Sequence, residues 1–167
     1  GANPRTSYFG GTNDGRIAVP ADYDCDGKAD LAVYTSKGSQ WQVKLSESGQ
    51  ILTMTFGKEG DIPVPGPYED DEGCPRPALY RPSTGYYYVL KEVDKNDRGV
   101  SYPGVKIGSY GDRPVLVNLN GNAKADYAVF RPGEKSFYVQ GNSRPISFRI
   151  SSLQSGTQLP AAPMPVS

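Results

Sequence analysis

Histidine is missing from this 167-residue chain altogether. That removes the histidine-based catalytic triads and the usual zinc ligand sets. No run of 18 apolar residues occurs, which excludes a membrane-spanning helix within the chain as given. Charge of one sign is lacking as well, because 18 basic and 18 acidic residues cancel. Lysines and arginines are scattered singly, so there is no electrostatic footprint for a phosphate backbone, and nucleic acid is not an expected partner. Phosphate-cradling glycine loops and a reactive-cysteine setting are absent too. The acids that cluster have metal-loop spacing and leave no spare carboxylate pair for glycosidase chemistry. The chain is therefore expected not to be an enzyme.

What the chain does contain argues for strands. Its 37% hydrophobic and 22% charged content is that of a globular protein rather than a disordered one. Twenty glycines and 15 prolines are too many for long helices, whereas 12 tyrosines suit strands separated by frequent turns. The expected class is all-β.

One sequence pattern occurs three times. Ala29-Asp30-Leu31-Ala32-Val33-Tyr34 returns as Ala125-Asp126-Tyr127-Ala128-Val129-Phe130, and in worn form as Pro75-Arg76-Pro77-Ala78-Leu79-Tyr80. A period of roughly 48 residues marks repeated supersecondary units. Each unit reads as four short strands: 17–23, 29–35, 40–45 and 51–56; then 62–68, 77–81, 86–91 and one near Val105; then 113–119, 125–131, 136–140 and 146–150. Short strands in such a period suit the four-stranded antiparallel blades of a β-propeller. Phe9-Gly10, Phe56-Gly57 and Ile107-Gly108 keep the same register, as do Trp41, Tyr87 and Phe137 on the third strands. Those three aromatics are expected to pack between sheets, the alternative being a platform for sugar rings.

The expected layout is residues 1–10 as the last strand of a preceding blade, blades at 11–57, 58–109 and 110–154, and a Pro-rich tail at 155–167. Three blades leave two open edges. The chain is thus expected to be part of a longer array or to complete itself with other copies. Its start at Gly1 without methionine fits signal-peptide removal and equally a trimmed end.

Between the first two strands lies Asp22-Tyr23-Asp24-Cys25-Asp26-Gly27-Lys28-Ala29-Asp30. Asp22, Asp24, Asp26 and Asp30 stand at positions 1, 3, 5 and 9, Lys28 offers its carbonyl at 7, and Gly27 permits a sharp turn. This is the ligand order of a calcium loop, and four carboxylates so placed repel one another unless a cation offsets them. The third unit offers a second, weaker set, Asn118, Asn120, Asn122, Lys124 and Asp126, in which amides can also hold the loop by hydrogen bonds without metal. The second unit keeps an acidic loop but places Arg76 at the last ligand position, and is expected to bind none.

Cys25 and Cys74 occupy corresponding loops of neighbouring units. A bridge between them would close a loop of about 50 residues, worth about 4 kcal/mol in the chain-entropy model. Two inert thiols are the alternative, because bridging needs Cα atoms within about 7 Å.

At these residues the chain resembles the FG-GAP/VCBS repeat family, the units of integrin-α-like β-propellers. The likeness rests on Phe56-Gly57 followed by Gly60-Asp61-Ile62-Pro63-Val64-Pro65, on residues 22–30 and 29–34, and on Tyr80-Arg81-Pro82-Ser83-Thr84-Gly85. The resemblance implies propeller blades with calcium loops in exported or surface-exposed bacterial proteins that bind glycans, proteins or neighbouring catalytic domains. The chain departs from the family in keeping the full acid set only in unit one, and in showing three units where about seven blades are common. The expected role is a secreted or cell-surface, calcium-stabilised module that binds carbohydrate or protein. Tyr86, Tyr88, Tyr110 and Tyr138 are the candidate contact aromatics. The alternatives are a structural subunit that assembles into a homo-oligomeric ring or filament through open edges, and an accessory domain of a larger exported enzyme.

Overall fold

The computed structural model describes residues 15–69 and 72–141. The expected strands at 1–10 and 146–150 and the tail at 155–167 lie outside the described residues. Within them the chain forms strands and turns without a helix, arranged as three antiparallel sheets. No closed barrel or propeller is formed among the described residues.

The first sheet is a meander of β1 (Arg16–Ala18), β2 (Leu31–Thr35), β3 (Gln40–Lys44) and β4 (Ile51–Thr55). The second contains β5 (Ile62–Pro63), β6 (Ala78–Arg81), β7 (Tyr86–Val93), β8 (Gly99–Ser101) and β9 (Val105–Lys106). The third contains β10 (Arg113–Val117), β11 (Asp126–Arg131) and β12 (Ser136–Val139).

Two expectations need correction. The first strands of units one and two are shorter as continuous ladders than expected, Arg16–Ala18 and Ile62–Pro63, and beyond them the pairing resumes only as the isolated bridges Ala21–Asp30 and Gly66–Arg76. Single bonds from Val19 to Ala32 and from Val64 to Ala78 lie in between. The fourth strand of unit two is split. Both β8 and β9 pair with the long β7, and the register shifts between Leu90 and Glu92. The resulting hairpin turns at Asp94–Asp97 and reaches the first sheet, where the Thr55 N–H donates to the Asp97 carbonyl at 2.8 Å.

Alternation along the strands decides which face is buried. Ala32, Tyr34, Trp41, Val43 and Met54 share one face of the first sheet and pack with Leu79 and Leu90 from the second. The opposite face of the second sheet carries Ala78, Tyr80, Tyr87 and Val89, which pack with Ala125, Tyr127 and Val129 of the third. Trp41 and Tyr87 thus lie in cores between sheets, as expected. Each is the cross-strand partner of an aromatic on the preceding strand, and so is Phe137: Tyr34–Trp41, Tyr80–Tyr87 and Phe130–Phe137 have ring centroids 5.0, 5.3 and 5.0 Å apart. Tilted pairs at this distance gain edge-to-face attraction beyond their area. The buried Tyr87 hydroxyl donates across the sheet boundary to the Ala128 carbonyl at 2.6 Å.

Glycine has a definite role behind these rings. A Cβ on Gly57 would lie 2.3 Å from Leu79 Cδ1, and one on Gly108 would lie 2.0 Å from the Tyr80 hydroxyl. The glycine after Phe56 and after Ile107 is what lets the strand-two side chains reach the connection to the next sheet.

Candidate functional site

The loops entering the second strands form one continuous rim. Cys25 and Cys74 are disulfide-bonded with Cα atoms 5.7 Å apart, joining the first loop to the second. The second loop meets the third through the bond from Ala125 N–H to the Pro67 carbonyl and through the Tyr127 hydroxyl donating to Glu69. Gly73 lies close enough to Ala123 that a Cβ there would sit 3.4 Å from its carbonyl.

Within the first loop, Asp30 is fully buried and organises the rest. Its Oδ2 accepts from the Tyr23 N–H at 2.9 Å and its Oδ1 from the Ser46 N–H at 2.8 Å, so one carboxylate ties the loop to the β3–β4 turn. Asp22 accepts from the Asp26 and Gly27 N–H groups at 3.1 and 2.9 Å. The left-handed backbone of Cys25 (φ 61°) and Gly27 (φ 88°) makes that return possible. Carboxylate oxygens of Asp22, Asp24 and Asp30 consequently lie within 4.8 Å of one another.

Asp26 does not join them. Its carboxylate accepts from the Lys28 N–H at 2.7 Å and from Ser46 Oγ at 3.2 Å, with the Lys28 ammonium 3.7 Å away. Three of the four expected acids converge, and Lys28 stands beside the fourth. Desolvation, with repulsion from Asp30, Asp26 and Asp22, pushes the Asp24 carboxyl up, against the lowering effect of the Asp26 N–H. The crowding of negative charge is thus already felt at the exposed member of the set.

The third loop has the same backbone closure with different chemistry. Leu119 N–H donates to Asp126 Oδ2 at 2.7 Å, as Tyr23 does to Asp30. Here the Asn120 amide fills the space with a bond to Asp126 Oδ1 at 3.2 Å, and the Asn118 amide donates to the Asn122 carbonyl. Asn122 accepts from the Lys124 N–H at 2.8 Å. The amides complete the loop by hydrogen bonds. In the second loop, Arg76 Nη1 donates to the Lys91 carbonyl at 3.4 Å.

The four candidate tyrosines lie elsewhere. Antiparallel order puts the acidic loops at one end of the sheets and the β2–β3, β6–β7 and β11–β12 turns at the other, and the tyrosines belong to that second end. Tyr110 is 93% exposed in the turn before β10. Tyr86 and Tyr88 stack on each other at 6.2 Å and are half-buried, with Lys106 over the first and Arg81 over the second. Arg131 lies 4.0 Å over the Tyr138 ring, whose hydroxyl donates to Glu134 and is pushed up in pKa by that bond first of all. The tyrosines and the acidic loop do not form one site.

Two polar constellations were not anticipated. Arg81 forms a two-pronged pair with buried Asp61, both bonds 2.8 Å, and Arg131 does so with buried Asp112 at 2.8 and 2.9 Å. Each aspartate also accepts a backbone N–H, from Lys58 at 2.9 Å and from Ser109 at 2.8 Å. Burial alone would raise the Asp112 carboxyl, but the Arg131 and Ser109 bonds outweigh it and hold Asp112 below the usual carboxylate range. A readable signal existed: Gly-Asp precedes strand one and an arginine closes strand two in both units, whereas the first sheet has Arg16 opposite Thr35.

No family model, curated protein or solved structure matches this chain.

Proposed function

We propose that this is a secreted or cell-surface binding module of the FG-GAP/VCBS propeller-blade kind, whose joined loop rim recognises carbohydrate or protein. In this reading calcium occupies the first loop. The observation that carries it is the convergence of Asp22, Asp24 and Asp30 at a loop fastened to its neighbour by the Cys25–Cys74 bridge. Three hard oxygen donors at close quarters suit a calcium ion, completed by carbonyl oxygens and water. The ion would neutralise the crowded carboxylates and stiffen the rim. The disulfide supports export, since such bridges persist in oxidising compartments. Around the acids the exposed rim is rich in amides and carboxylates, among them Asn118, Asn120 and Asn122, groups suited to hydroxyl-bearing ligands.

A glycan array and a pull-down from an extracellular protein fraction, both in millimolar calcium, test the reading. Calcium-dependent retention that Asp24→Ala weakens is expected. Silence in both experiments would count against a binding role.

A further inference from the structure

Among the described residues, no strand pairs with the outer edge of β4 over Ile51 to Thr53. Natural sheets blunt free edges with charges, prolines or bulges. The first strand of each sheet follows that rule, since β1 has Arg16 with Pro20 just beyond, β5 has Pro63, and β10 has Arg113 and Pro114, whereas the last strands β8 and β12 carry neither charge nor proline. Ile51-Leu52-Thr53-Met54-Thr55 has neither charge nor proline.

Its backbone is set to accept another strand. Phe56 N–H bonds to the Ser39 carbonyl and Leu45 N–H to the Gln50 carbonyl, so even-numbered residues of β4 face β3. Thr55 faces away and donates to Asp97, pairing in parallel with Arg98. Alternation points the N–H and carbonyl groups of Thr53 and Ile51 the same way, and among the described residues neither has a backbone partner there. Beside them runs a groove of about 560 Å³, walled by Ile51 to Met54 and by Val93, Asp94 and Asp97 of the hairpin. That volume lies in the range of roughly 300–1,000 Å³ typical of ligand clefts. Ile51 and Val93 are 56% and 42% exposed, and Asp94 and Asp97 are the charged residues in its lining.

We infer that this groove binds an extended peptide segment of a partner protein by strand addition to β4, the segment alternating apolar with basic residues. Main-chain bonds to Ile51 and Thr53 hold it, apolar residues cover Leu52, Met54 and Val93, and basic residues answer Asp94 and Asp97. The carboxylate of Asp94 stays ionised because the Arg98 and Asn96 N–H groups bond to it and lower its pKa. The inference does not depend on the loop rim or on calcium.

The test is an amide NMR titration of the full chain with a blocked hexapeptide of alternating lysine and valine, in chelator. Saturable shifts at Ile51, Thr53 and Val93 and slowed hydrogen exchange at Ile51 and Thr53 are expected. The same peptide methylated on alternate backbone nitrogens should bind at least about tenfold more weakly, because its bonds to both the Ile51 and Thr53 carbonyls are lost. A glutamate-valine peptide should also bind more weakly. Thr53→Pro removes an outward N–H while sparing the β3 ladder, and should weaken the lysine peptide about tenfold. The methylated peptide decides the matter on the unaltered protein should that variant not fold. The proposal is overturned by absence of shifts at millimolar peptide, by equal binding of the methylated peptide, or by concentration-dependent protection of Ile51 and Thr53 without peptide, which would make a second copy the occupant.

Discussion

Asp61 and Asp112 are almost inaccessible, each pinned by a guanidinium and one N–H, so removing a single partner leaves an uncompensated buried charge. Arg81→Met, which strands the buried Asp61 carboxylate, should cost about 3–5 kcal/mol in urea unfolding, whereas joint Asp61→Leu and Arg81→Met should cost much less. Equal losses in the two variants would show that the pair is not what matters. Because Asp112 titrates lower in the folded chain than when unfolded, its contribution is complete above the unfolded value of about 3.9 and fades as pH falls through the folded one. Stability measured against pH should therefore drop below about pH 4 more steeply in the wild type than in Asp112→Asn. Residue spacing made the gathering of Asp22, Asp24 and Asp30 legible, because a loop with donors at alternate positions must turn them to one side. The withdrawal of Asp26 was not legible, since it depends on Ser46, 20 residues further along the chain.

At the scale of elements, alternation and turn residues revealed most strands. The split of the last strand in the second sheet was not legible, because Pro103 and Gly104 read simply as a turn, while the Thr55–Asp97 contact is a meeting between sheets. Where a connection passes behind a sheet, glycine is decisive. Gly85 has φ +76°, and a Cβ there would lie 2.0 Å from the Gly108 carbonyl oxygen, a backbone atom with little freedom to yield. Gly85→Ala should lower stability by more than about 1 kcal/mol in chemical unfolding. Gly133→Ala, which meets nothing within 4 Å, should stay within about 0.5 kcal/mol. Similar losses at both positions would refute the close-approach argument.

Across the whole molecule, interleaved apolar faces join the sheets, and the Cys25–Cys74 bridge joins the first two loops. Replacing both cysteines with serine should cost about 4 kcal/mol for a closed loop of this length. Thermal unfolding of the reduced and oxidised forms checks that value, and identical midpoints would contradict it. The proposed binding role depends most on whether the first loop holds calcium in solution. The direct measurement is the thermal midpoint of the oxidised protein against calcium, carried through the roughly 10⁻⁴ to 10⁻³ M range of extracellular modules, for the wild type and Asp24→Ala. A saturable rise in the wild type that the variant lacks is the predicted result. A midpoint that stays flat at millimolar calcium, or rises equally in both proteins, would contradict the account.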